Sequence, residues 1–208
     1  MANPASPRDV VTSLVSSLAA TTASASATAT TSNPLQSAPP ETQKALLTLH
    51  VLFPNELLPA LDLLDRGLVT RFTLAQHTDQ DGSGSRSRES PTAVYYVRSA
   101  QLPSRHRSAA AHVTSYEVRL DSWSCSCPAF AFAAFPADAL TSDPDKSATT
   151  SGKDGWTFGG LTRGIDMPVC KHLLACILVE RANMFRELAT EQVASVEELA
   201  AWAAGWGD

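Results

Sequence analysis

Cys125-Ser126-Cys127 and, far downstream, Cys170-Lys171-His172 are the residues of this chain best equipped to do chemistry. Read together as C-x-C…C-x-H, they supply three thiolates and an imidazole, a complete tetrahedral donor set for Zn2+. Four protein ligands leave no open position for a substrate, so the pattern points to a metal-stapled binding module and away from a catalyst. One intervening residue in an extended strand puts both side chains on one face, which lets Cys125 and Cys127 converge on one ion. In a helix, residues two apart diverge by about 200°. Cys170 is therefore expected at or before a helix start, with His172 in the first turn, where the positive helix end favours a thiolate. Three thiolates and Zn2+ leave a charge of about −1, which Lys171 and Arg163 are placed to offset. The C-x-C spacing differs from the C-x-x-C of thioredoxin-like redox sites. Cys176, one turn beyond His172 in an apolar run, reads as a core thiol.

These pairs need elements to carry them. Residues 8–19 place Val11, Leu14, Val15 and Leu18 at helical spacing, a short amphipathic helix. Residues 20–40 are Ala, Ser, Thr and Pro with almost no large apolar group, the composition of a linker. Leu46 to Phe53 forms an apolar helix stopping near Pro54, and Glu56 to Asp65 a second helix ended by Gly67. Strands are expected at 68–74, 93–97 and 112–120, the last delivering the first cysteine pair. Polar loops lie at 78–91 and 136–166, and the second reads as a disordered insertion between the two halves of the metal site. Helices are expected from about Cys170 to Leu188 and from about Glu191 to Ala204.

The 208 residues suffice for one domain with tails, and 44% hydrophobic content permits a packed core. A formal net charge of −5 argues against strong autonomous DNA binding, because phosphate neutralisation needs a basic surface. No apolar run is long enough to span a membrane, and no secretory signal is legible. The Ala/Ser/Thr-rich start bears only a faint likeness to a transit peptide. Cysteines without a signal peptide suit a reducing compartment, where metal binding outranks disulfides. Gly152-Lys153 lacks the other residues of a Walker motif, and neither H-E-x-x-H nor G-x-S-x-G occurs.

The segments Cys125-Ser-Cys-Pro-Ala-Phe-Ala-Phe132 and Cys170-Lys-His-Leu-Leu-Ala175 resemble the SWIM-type zinc finger, and more narrowly the SWIM-domain subunit of the Shu homologous-recombination complex. Leu57 to Gly67 adds an upstream segment of similarity, so the resemblance covers about residues 45–200. It implies Cys125, Cys127, Cys170 and His172 as zinc ligands. It also implies a non-enzymatic nuclear scaffold that pairs with a RecA-like recombinase paralogue and supports recombinase filament assembly. The alternative is a SWIM-type DNA-binding or chromatin-associated module.

Three features bear on that choice. Phe130, Phe132 and Phe135 are expected to pack as core beneath the metal site, the alternative being a surface on which bases stack. The helix after His172 is apolar nearly all round, so it is either central to the core or covered by a partner. Arg98, Arg105, His106, Arg107 and Arg119 read as a solvated face, with a DNA-facing patch as the alternative. The expected architecture is an α+β, zinc-stapled domain: a small antiparallel sheet, flanking helices, a disordered N-terminal segment and disordered insertions. Its parts divide as 1–40, 41–120, a zinc finger at 121–190 and a C-terminal helix and tail at 191–208. No catalytic residue and no small-molecule substrate are expected.

Overall fold

Alternating side chains decide how the sheet is covered. The structure, a computed structural model, describes residues 6–22, 35, 38–75, 93–100, 114–135, 156–162 and 167–206. In β1 (Val69–Leu74) and β2 (Val94–Arg98), Val69, Tyr95 and Val97 point to one face and Phe72, Val94 and Tyr96 to the other, the period-two rule of extended chain. The first face meets the main core. The second is closed by Leu199 and Trp202 of the last helix, whose indole sits 5.2 Å from the Phe72 ring and 4.8 Å from Tyr96.

The sheet has the order β4-β3-β2-β1-β5, with β3 at Ser115–Arg119, β4 at Ser124–Cys125 and β5 at Thr190–Ala194. The α+β class stands, but the sheet is mixed rather than antiparallel. β1, β2, β3 and β4 pair antiparallel in sequence, whereas β5 lies parallel to β1 with Phe72 opposite Gln192. The stretch Thr190-Glu-Gln-Val-Ala194 had read partly as the start of a helix, since Glu, Gln and Ala are good helix formers. The free edge of β1 overrides that preference with a ladder of backbone hydrogen bonds. The helix starts only at Val196, as α7 (Val196–Ala203), where Ser195 and Glu198 form a reciprocal capping box.

Helices α1 (Pro7–Thr22), α2 (Pro40–Leu52), α3 (Leu57–Asp65) and α5 (Lys171–Arg181) line the main core; the short α4 is Pro128–Ala134 and α6 is Asn183–Arg186. The helix expected over 170–188 is therefore broken at Ala182, whose backbone is extended. Every residue of α5 from His172 to Val179 is buried, which makes it the centre of the core. α1 extends beyond 8–19 and buries Val11, Val15 and Leu18 in that same core. Among the described residues, no helix is long and apolar enough to cross a membrane.

The polar insertion read at 136–166 needs correction at its far end. Residues 156–162 are part of the structure, and Phe158 is 0% exposed between Phe53, Trp123 and Trp156. The rest of that insertion, the loop at 78–91 and most of the 20–40 linker lie outside the described residues.

At the open end of α5, Arg71 Nε donates to Glu180 Oε2 at 3.1 Å and to the Tyr95 hydroxyl at 3.2 Å, while that hydroxyl donates to the same carboxylate. Burial alone would raise the Glu180 carboxyl, but the Tyr95 and Arg71 donors outweigh it and hold the group below the usual carboxylate range. A carboxyl depressed by folding contributes stability above its unfolded value of about 4.3, lost as pH falls through the lower folded value. Glu180→Gln is thus expected to flatten the acid limb of a Tm-against-pH curve below about pH 4.3. An unchanged acid limb would show that Glu180 does not govern it.

Candidate metal centre

Two short turns bring the cysteine pairs together. The turn between β3 and β4 is held by Trp123, whose φ of 52° puts a bulky residue in the left-handed region. Such a conformation costs about 1–2 kcal/mol for an L-residue and persists only where the surroundings hold it. Here the indole Nε1 donates to the Pro168 carbonyl at 2.8 Å, and the ring packs edge-on to Phe158 at 4.6 Å. Trp123 thus ties the strand leading to Cys125 to the segment leading to Cys170. Cys125 pairs with Val118 in the sheet, and Ser126 N donates to the Glu117 carbonyl at 3.0 Å.

Both remaining cysteines sit at helix N-caps. Cys127 caps α4, its sulfur accepting from Phe130 N at 3.3 Å, and Pro128 takes the first helical position, where its missing N–H costs nothing. Cys170 caps α5, accepting from Leu173 N at 3.5 Å. His172 lies in the first turn of α5, as the two-residue spacing requires. Its Nδ1 is 3.8 Å from Cys125 Sγ, and its ring packs against Tyr116 with centroids 4.7 Å apart.

The donor atoms of Cys125, Cys127, Cys170 and His172 all lie within 4.8 Å of one another, and all four residues are buried. Ligands at the Zn–S distance of roughly 2.3 Å stand about 3.8 Å apart at tetrahedral vertices. The cluster is within a small contraction of that arrangement, and its donor types are those of a structural metal site. A metal held by all four would have no open position. The crowding shows in the thiols. Donation from the Cys125 S–H, then from Cys170, holds Cys127 well below the ordinary thiol range, while Cys125 is driven well above it by its bond to Cys127. At Cys170 donation from Cys125 works downward, but Cys127 and burial outweigh it and push the thiol up to about 11. Thiolate rather than thiol is the metal ligand, so a dication held here would displace the thiol protons.

Other sequence expectations fall on both sides. Cys176 stands outside the cluster as a fully buried thiol, pushed up by desolvation. Phe130 is core, but Phe132 and Phe135 are 80% and 81% exposed, because α4 is short and turns that face to solvent. Arg119 is paired with Glu117 at 2.5 Å and Arg98 donates to the Gly67 carbonyl, while Arg105, His106, Arg107 and Arg163 lie outside the described residues. Tyr116 and Trp123 had carried no sequence signal as partners of the site. The Pro after Cys127 was the one legible cue for α4. No family model matches this chain, and no curated protein matches it.

Proposed function

We propose that Cys125, Cys127, Cys170 and His172 bind one structural zinc ion as a SWIM-type finger, and that the protein is a non-enzymatic nuclear scaffold of homologous-recombination repair. In this reading it pairs with a RecA-like recombinase paralogue, in the manner of the Shu complex, and promotes recombinase filament assembly. The observation that carries the metal half is the convergence of four buried donors from two distant segments on one point. The partner half rests on the resemblance of the C-S-C-P-A-F-A-F and C-K-H-L-L-A segments, and on an apolar outer surface. Leu47 and Val51 lie one turn apart on α2 and are 65% and 78% exposed, with Leu58 of α3 also exposed. Leu174 and Leu178, by contrast, are fully buried and unavailable to a partner.

Affinity purification of the full chain with mass spectrometry tests this. A RecA-fold protein is expected in stoichiometric amount, lost with Leu47→Asp plus Val51→Asp while zinc content stays at wild type. Recovery without any RecA-fold protein would overturn the pairing. The exposed Phe132 and Phe135 favour a second reading, a DNA-binding SWIM module that stacks bases on α4. Tight binding of single-stranded DNA by the lone chain at physiological salt, abolished by Phe132→Ala plus Phe135→Ala, would make that the better account.

A further inference from the structure

A continuous set of contacts runs from the N-terminal helix to both halves of the metal cluster. Arg8, only 7% exposed, sends its guanidinium across Gly159 to the Thr162 carbonyl at 2.5 Å, with Nε 3.4 Å from Met167 Sδ. Thr12 Oγ1 donates to the Arg8 carbonyl and accepts from Phe158 N at 3.0 Å. The segment 156–162 is thereby gripped from the α1 side.

Its other side is seated on the turn between β3 and β4. Leu161 N donates to the Asp121 carbonyl at 3.2 Å. Gly160, at φ 50°, lies so close that a Cβ there would meet the Asp121 oxygen at 2.6 Å and the Leu120 oxygen at 2.8 Å. Gly159 is as tightly bounded, by Arg8 and Met167. From this turn the chain reaches Cys125, and Trp123 within it holds the Pro168 carbonyl just before Cys170.

We propose that α1 is an intrachain clamp whose docking is linked to metal binding, so that α1 seated on α2, α5 and α6 slows loss of the metal from the folded chain. The proposal rests on the reading of the four-residue cluster as a zinc site and adds its regulation. The physical reason is that the same contacts serve both ends. Residues 157–162 are ordered by Arg8 and Thr12 on one side and by the β3–β4 turn on the other, and that turn sets where Cys125 stands. Linkage is reciprocal: whatever factor metal contributes to α1 docking, α1 docking contributes to metal affinity. Val11, Val15 and Leu18 anchor α1 in the main core, so its docking is a property of the folded chain.

The test uses the zinc-loaded full chain mixed with excess chromophoric chelator, with hydrogen exchange of the α1 amides as second readout. Arg8→Ala plus Thr12→Val is expected to release zinc about tenfold faster and to exchange α1 amides about tenfold faster, within the usual range of coupling. Gly160→Ala, which breaks the path in its middle without touching α1, is expected to move both readouts the same way. Trp202→Ala, which loosens the opposite face of the sheet, controls for general destabilisation. Compared equally far below its own Tm, it is expected to release zinc at the wild-type rate. Equal rates for the wild type and the Arg8/Thr12 variant, or equal acceleration by Trp202→Ala, would overturn the clamp. If the wild-type chain itself holds no zinc, the metal reading falls and takes the clamp with it. If it holds zinc but shows no difference among variants, the clamp alone fails.

Discussion

Metal analysis of the purified chain is expected to return one zinc per chain, and its removal to cost the tertiary fold. Binding of a structural zinc is worth on the order of 10 kcal/mol, comparable with the entire 5–15 kcal/mol stability of a typical domain. The position of the site makes that comparison apt. Cys170 and His172 begin α5, the most buried helix, and Cys125 and Cys127 join the sheet edge to α4, so the ion would staple helix to sheet. Cys170→Ser and His172→Ala are expected to lose the metal and the near-ultraviolet circular dichroism of the packed aromatics. Serine keeps an acceptor for Leu173 N at the cap, so its failure would report on the lost thiolate rather than on the lost cap. Well under half an equivalent of metal, with folding intact, would show that the cluster is only a set of buried thiols.

Phe158→Ala is expected to be the most damaging single core truncation outside the Cys/His cluster. The side chain is fully buried, stacked on Phe53 at 5.7 Å and edge-on to Trp123 at 4.6 Å. Removing a buried phenyl ring costs about 3–5 kcal/mol, which corresponds to a Tm lower by roughly 6–20 °C for a domain of this size. Part of that loss would pass to the Cys/His cluster, because Trp123 would lose the ring that braces its left-handed backbone. Deleting residues 141–150, by contrast, halves a connection at a loop-entropy change of about 0.6 kcal/mol and should shift Tm by no more than roughly 2 °C. Removal of the whole stretch 136–166 takes Phe158 with it, so it is not the neutral trimming that its polar composition suggests. A Phe158→Ala variant with wild-type Tm would place that segment outside the core.

The Cys/His cluster was the most legible part of the chain because the pattern within each of its pairs is local. Two residues apart in a strand means one face, and two apart at a helix start means cap and first turn. The helix-start rule held at Cys170 and His172; at the first pair only Cys125 lies in a strand, and Cys127 is already the extended N-cap of α4. The same is true of β1 and β2, where alternating β-rich residues announce a pleated strand, and of α3, ended by Gly67. Three features were settled only in three dimensions. β5 mixes the helix formers Glu, Gln and Ala with β-branched Thr and Val, and it is a strand because the edge of β1 stands open beside it. Phe158 sits in a polar, glycine-rich run with no periodicity, and its burial follows from a gap left by Phe53, Trp123 and α1. Phe132 and Phe130 are the same residue type two positions apart, yet one is exposed and the other core, because the Cys127 cap orients α4. Short-range spacing determined which residue types stand beside each other within each pair; long-range pairing and the shape of the space left over decided that the two pairs meet and what holds them there.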